Sequence, residues 1–235
     1  MKKPIVYIDG KYTKVDTKML EACAPGVLKA QGVFETMLAE GSKVFDVGLH
    51  LKRLKGSFRG VRVSEGIIKK VVKLNGFKVS RVRVIAWYEG KQKHTAVMAL
   101  KYTFPKKKTF KVCLIKTNRK ANSRLANTKS LDYKIFYDAY HKARTKGFDE
   151  ALLINQRGHV FEASRANVFM VSNGKLITPP LSSGCLNGIT RQKVIKLARK
   201  SGIPVLEQNI TPAMLKSATA AFLTNSLLGI KPFRL

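Results

Sequence analysis

Acidic residues are what this sequence has least of for its size. Its 235 residues carry 14 Asp and Glu against 45 Lys and Arg, a formal net charge of +31. Such a chain draws in polyanions or small anionic substrates. The cations are spread out: Lys52, Arg53, Lys55, Arg59 and Arg62 lie in one segment, Lys69, Lys70 and Lys73 in the next, Lys106, Lys107 and Lys108 in a third. No recognisable nucleic-acid motif accompanies them, so nucleic-acid binding is not read as the main function. Cysteine is scarce too. Cys23, Cys113 and Cys185 are odd in number and far apart, with no CxxC. That argues against a disulfide framework or a zinc site and fits a reducing cytoplasm. Long apolar runs are missing: none approaches the roughly 18 residues of a membrane span. Met1-Lys2-Lys3 is followed by Pro4 and a short apolar run broken at Asp9-Gly10, which does not read as a signal peptide. There is no internal repeat.

What is present is an ordinary globular composition, 45% hydrophobic and 25% charged, in a length that suits one large domain or two small ones. The opening P-I-V-Y-I-D-G-K reads as a strand entering a turn at Asp9-Gly10. Residues 32–38 alternate as a second strand, with 44–47 pairing across Gly41-Ser42. The period turns helical from about Leu49; Ser64 reads as an N-cap before the stripe Ile67, Ile68, Val71, Val72. Strands are expected at 82–87, 95–100 and 109–115. A polar stretch, 116–128, is read as a linker between a first lobe (1–115) and a second (129–235). In the second lobe, Ser130 is expected to cap a helix over 131–146 with Ile135, Phe136, Ala139, Tyr140 and Ala143 buried, stopped by Gly147. Strands follow at 150–154, 160–161 and 168–171. Gly188 opens a helix with the stripe Val194, Leu197 and Ala198, ending at Gly202. A strand at 204–207, a cap and first-turn proline at Thr211-Pro212, and a last strand at 220–223 complete a mixed α/β chain.

Polar residues recur where strands end and helices begin. In T-K-S-L-D-Y-K, Lys129 precedes the expected helix N-terminus, whose dipole disfavours an ammonium. A neutral lysine amine is what Schiff-base chemistry requires. Lys134, one turn further on, reads as solvated. Glu162 follows a strand in F-E-A-S-R-A-N-V-F, Arg53 lies in H-L-K-R-L, and Gly188-Ile189-Thr190-Arg191 starts a helix whose free N–H groups can hold a phosphate. A lysine, a carboxylate, an arginine and a helix N-terminus are what pyridoxal phosphate needs.

The ordered set G-V-F-E-T, H-L-K-R-L, T-K-S-L-D-Y, E-A-S-R-A-N-V-F, L-N-G-I-T-R and T-N-S-L-L-G-I-K-P resembles the fold-type IV pyridoxal-phosphate enzymes, from about Ile5 to Phe233. These include branched-chain aminotransferases, D-amino acid aminotransferases and aminodeoxychorismate lyases. The resemblance implies a two-lobed α/β fold like that of D-amino acid aminotransferase, with the cofactor between the lobes, and a homodimer. It implies that Lys129 is the Schiff-base lysine and that Glu162 faces the pyridine nitrogen. It gives Tyr133 to the cofactor's phenolate oxygen, and Arg53, Ile189, Thr190 and Ser226 to its phosphate. His50 is read as structural.

Within the family, T-N-S-L-L-G-I-K-P is most like the aminodeoxychorismate lyases, which release pyruvate and 4-aminobenzoate in folate synthesis. Aminotransferases tend to show a small-residue run followed by an acid there, and this chain has no acid between 224 and 232. Departures exist. A-P-G-V-L-K-A-Q-G replaces the acidic and tyrosine positions that precede the F-E-T strand in the lyases. W-Y-E-G-K-Q-K-H stands where an arginine-glycine is usual, leaving Lys91, Lys93 and His94 as the nearby cations. The lyase is the first expectation, a branched-chain or D-amino acid aminotransferase the second, and a non-catalytic polyanion binder on the same fold the third.

Overall fold

The computed structural model describes residues 3–16, 31–119 and 126–235. Most of A-P-G-V-L-K-A-Q-G, Cys23 and the middle of the expected linker lie outside them. The chain divides into two units, Met1–Phe104 with Lys129–Lys134, and Pro105–Thr128 with Ile135–Leu235.

In the first unit the strands are β1 (Ile5–Ile8), β2 (Lys11–Lys14), β3 (Gly32–Glu40), β4 (Lys43–Val44), β5 (Val79–Glu89) and β6 (Gln92–Lys101); the helices are α1 (Val47–Ser57) and α2 (Glu65–Asn75). They form one antiparallel sheet in the order β2-β1-β6-β5-β3-β4. Strand alternation sorts its two faces. Val33, Met37, Val82 and Val84 pack with Leu51, Leu54, Ile68, Val71 and Val72 of the helices. Phe34, Ile85 and Met98 point the other way, toward Val6, Val15 and Leu131. Ser64 caps α2 as expected, accepting from the Ile67 N–H at 3.3 Å. Asp46, in the left-handed region at φ 54°, turns the chain from β4 into α1.

The second unit contains β7 (Phe110–Lys116), α3 (Lys134–Thr145), β8 (Glu150–Ile154), β9 (Val160–Ala163), β10 (Asn167–Ser172), β11 (Lys175–Thr178), a 3-10 turn (Leu181–Ser183), α4 (Ile189–Lys200), β12 (Val205–Glu207), α5 (Pro212–Lys216), β13 (Ala220–Asn225) and β14 (Gly229–Arg234). Its eight strands run β12-β11-β10-β13-β14-β7-β8-β9. Parallel pairs join β11 to β12, β14 to β7 and β7 to β8. Phe110, Val112, Leu152, Val160, Val168, Ile210 and Leu223 build the core.

Several local expectations change. β7 hydrogen-bonds in the second unit's sheet, so the first unit ends at Phe104 and not at 115. β2, β11 and β14 are additional strands. Helix α3 starts at Lys134, not 131, and Ser130 does not cap it; Ser130 Oγ accepts from the Asp132 N–H at 3.0 Å instead. Ile135 is exposed on α3, and on α4 Leu197 is exposed while Ile195 and Ala198 are buried.

Candidate active site

The T-K-S-L segment is held by β3 and not by a helix. The Phe34 N–H donates to the Lys129 carbonyl and the Leu131 N–H to the Gly32 carbonyl, each at 2.9 Å, around an antiparallel bridge between Val33 and Ser130. This explains why Lys129–Lys134 groups with the first unit although the sequence reading gave Lys129 to the second lobe. Leu131, 2% exposed, lies across Gly32. A Cβ on Gly32 would overlap the Ala86 carbonyl oxygen and come within 2.7 Å of Leu131 Cδ1 and 2.8 Å of Trp87 Cβ. The glycine of G-V-F-E-T is there for that close approach.

Lys129 is half-buried and Lys134 exposed. Lys129 Nζ lies 4.5 Å from the centroid of the Phe34 ring and 5.8 Å from that of Tyr133. The two rings meet edge to face, with centroids 5.4 Å apart. The amine thus lies over two aromatic faces. The helix-dipole argument for Lys129 is corrected: α3 begins five positions later, beyond the first-turn reach of the dipole.

Arg53 is clamped inside the first unit. Its Nε donates to Glu35 Oε1 at 2.6 Å and its Nη2 to Glu35 Oε2 at 2.7 Å. His50 Nδ1 lies 2.7 Å from the same Oε2, so the structural reading of His50 holds. Burial by itself pushes the Glu35 carboxyl up. The Arg53 and His50 contacts outweigh it and hold the carboxyl below the ordinary range. Glu35 was not singled out from the sequence. A signal existed: it is the one acid between Gly32 and Ala39, in phase with buried Val33 and Met37.

In the second unit the remaining candidates sit on elements tied to one another. Glu162, on β9 and 6% exposed, accepts the Leu186 N–H at 3.1 Å. Asn167 Nδ2 donates to the Leu186 carbonyl at 2.7 Å, and its Oδ1 fills the space a Cβ on Gly188 would need. Gly188 leads into α4, whose first residues are Ile189 and Thr190 and whose N-terminus has no side-chain cap. Asn167 is opposite Thr224 in the β10–β13 register. The Asn225 Nδ2 donates to the Arg165 carbonyl at 3.0 Å, while Oδ1 accepts from the Leu227 and Leu228 N–H groups at 2.9 and 2.8 Å. These bonds fix the turn that carries Ser226. The Thr224 hydroxyl, 1% exposed, has no hydrogen-bond partner among the described residues.

Arg191, beside Thr190, is structural: it is 2% exposed and donates to the Pro179 carbonyl and to Glu207. Cys185 is sealed in; burial first, and the charge of Glu162 second, push its thiol up to about 11. It is no nucleophile at neutral pH.

The donor set fits pyridoxal 5′-phosphate. Each unit supplies part of what it needs: the first a half-buried amine at Lys129, the second a buried acid at Glu162 for a pyridinium and an uncapped α4 N-terminus for a phosphate. Among the described residues there is no group of His, Cys, Asp and Glu able to hold a metal, and no helix long and apolar enough to cross a membrane.

Comparison with known proteins agrees. Over its full length the chain resembles a Methanocaldococcus jannaschii protein provisionally named a branched-chain-amino-acid aminotransferase. They are 27% identical across 97% of this chain and 86% of the relative. The crystal structure of the branched-chain aminotransferase of Thermoproteus uzoniensis with norvaline is similar at TM-score 0.86 and 29% identity, over 98% of this chain and 86% of that one. A Legionella pneumophila structure, provisionally assigned as a 4-amino-4-deoxychorismate lyase, is similar at TM-score 0.78 and 26% identity, over 90% and 85%. The profile of the family Amino-transferase class IV matches residues 32–235. The chain belongs to the class IV aminotransferase family, and its cofactor is pyridoxal 5′-phosphate.

Proposed function

We propose that this protein is a pyridoxal-phosphate-dependent 4-amino-4-deoxychorismate lyase that releases pyruvate and 4-aminobenzoate. The observation that carries the reading is the Thr224–Pro232 stretch. It resembles the lyases, contains no acid, and is shaped by the three hydrogen bonds of Asn225. In this reading Lys129 is the Schiff-base lysine and Glu162 the partner of the pyridine nitrogen. Tyr133 serves the phenolate oxygen. Arg53, the Ile189 and Thr190 N–H groups, the Thr190 hydroxyl and Ser226 serve the phosphate.

When bound, the cofactor supplies an electron sink for the amine-bearing carbon. Lys129 Nζ takes the proton from that ring carbon, acting as general base. The enolpyruvyl C–O bond then breaks, the ring becomes aromatic, and the departing three-carbon unit is protonated to pyruvate. Aromatisation makes the elimination downhill, and no amino acceptor is consumed. The abundance of cations favours encounter with a dianionic substrate.

A branched-chain aminotransferase is the second reading, favoured by the names of the full-length relatives. The two differ in their need for a 2-oxo acid. The cofactor-loaded protein, given aminodeoxychorismate alone, is expected to release 4-aminobenzoate and pyruvate in equal amounts. No release, with leucine or valine consumed only when 2-oxoglutarate is present, would replace the lyase by the transaminase. We further propose a homodimer as the working form.

A further inference from the structure

The first unit contains a buried acid to which the proposed reaction gives no part. Glu35 is 1% exposed, in the middle of β3, and its carboxylate is engaged by Arg53 through both oxygens. His50 and Arg53 stand three apart on α1, on one helix face. His50 is also 1% exposed and holds Oε2 from the other side. A two-point fork fixes the plane of a guanidinium, which a single contact leaves free to rotate. Of the three side chains only that of Arg53 keeps appreciable exposure, at 16% against 1% and 2%. The trio therefore presents one oriented cation from a buried acid and a buried imidazole.

Resting on the reading of Arg53 as a phosphate ligand, we propose that Glu35 is the positioning residue for Arg53. In turn His50 holds Glu35, so that the guanidinium meets the cofactor's phosphate in one fixed plane. Charge and orientation make opposite demands here. Glu35 cancels the charge of Arg53 locally, so if charge alone drew the phosphate, neutralising Glu35 would tighten binding. If orientation matters, neutralising Glu35 loosens it. In a chain of net charge +31, cationic charge is abundant and direction is what the fork adds.

The test compares dissociation constants for pyridoxal phosphate and for pyridoxal, which lacks the phosphate, in the wild type, Glu35→Gln and Glu35→Asp. Thermal melts establish which variants are folded. Glu35→Gln is expected to weaken pyridoxal phosphate by about tenfold or more and to leave pyridoxal unchanged; Glu35→Asp is expected to show a smaller loss of the same kind. If one variant fails to fold, the other decides. Unchanged or tighter pyridoxal phosphate binding in a folded variant overturns the proposal, as does an equal loss for both ligands, which marks a merely structural role. A wild type that binds the two ligands equally overturns the phosphate reading itself, and is distinct from both.

Discussion

Gly32→Ala tests how Lys129 is held. The added methyl would meet Leu131 Cδ1 at 2.7 Å and Trp87 Cβ at 2.8 Å, and would overlap the Ala86 carbonyl oxygen. The leucine tip can rotate away. The Ala86 oxygen cannot, because β3 and β5 are paired in register there. Overpacking usually costs about 1–3 kcal/mol, and an obstacle made of backbone puts this site near the top of that range. At about 2–4 °C per kcal/mol for a chain of this size, the melting point should fall by about 6–12 °C. The strain is relieved most readily by pushing the Lys129–Leu131 segment off β3, through the two bonds that hold it there. Uptake of pyridoxal phosphate, followed by visible absorbance, should therefore fall at temperatures where the variant is still folded. A variant with the wild-type melting point and full uptake would refute the idea that Gly32 seats the lysine segment.

Lys129→Ala should reduce turnover by at least about 10²–10⁴-fold, the usual worth of a positioned general base, while Lys134→Ala, at an exposed position, should stay near wild type; steady-state assays of both variants check this. Asp149 is buried and would be pushed up by that burial. Lys107, the Lys111 N–H and Arg144 hold it below the ordinary carboxylate range instead. A depressed acid stabilises above its unfolded pKa and loses that contribution as pH falls through its folded value. So Asp149→Asn should lower the melting point at pH 7, with the difference closing as pH drops below about 4; thermal melts against pH test the sign. The proposed homodimer must assemble against the self-repulsion of +31, so sedimentation should show its monomer fraction shrinking as salt rises.

Signals confined to a few residues were legible in the sequence. Ser64 caps α2, Thr211-Pro212 starts α5, and Gly147, at φ 79°, ends α3's turn, because each acts on its own neighbours. Ser130 does not cap a helix because its segment is bridged to Val33 of β3, nearly a hundred residues earlier in the chain, which holds the backbone extended. G-I-K-P-F-R does not look like a strand, with a glycine, a proline and two cations. It becomes β14 because residues 229–232 pair with β13 and Phe233 pairs with Phe110 of β7. Leu197 and Ile195 exchanged places because α4 packs against Phe169, Leu176 and Phe222, and nothing in the periodicity says which side those will take. For the candidate site, the order of motifs pointed to Lys129, Glu162 and Arg53. Glu35 was passed over because a carboxylate inside an apolar strand is explained only by partners on another element.

The acids that this chain does possess bear on how it should respond to salt. Among the described residues four acids are buried, Glu35, Asp149, Glu150 and Glu162, and Glu35, Asp149 and Glu150 contact Arg53, Arg144 and Arg165 respectively. Those acids offset only the cations they touch, Lys107, Arg144 and Arg165 among them, and leave most of the surface cations to repel one another through solvent. Salt screens exposed charges beyond roughly 8–10 Å at physiological strength and reaches buried pairs far less. Most of the electrostatic penalty is therefore removable by salt, while the gain from the Glu35 contacts with Arg53 and His50 is sheltered from it. The melting point should rise between low salt and about 0.5 M sodium chloride, the reverse of what a protein held by surface ion pairs would show. Scanning calorimetry at a series of salt concentrations decides it. A melting point that falls with salt would mean that exposed pairs such as Lys69–Glu65 outweigh the repulsion, and that the buried acids are not the main electrostatic contribution to the fold.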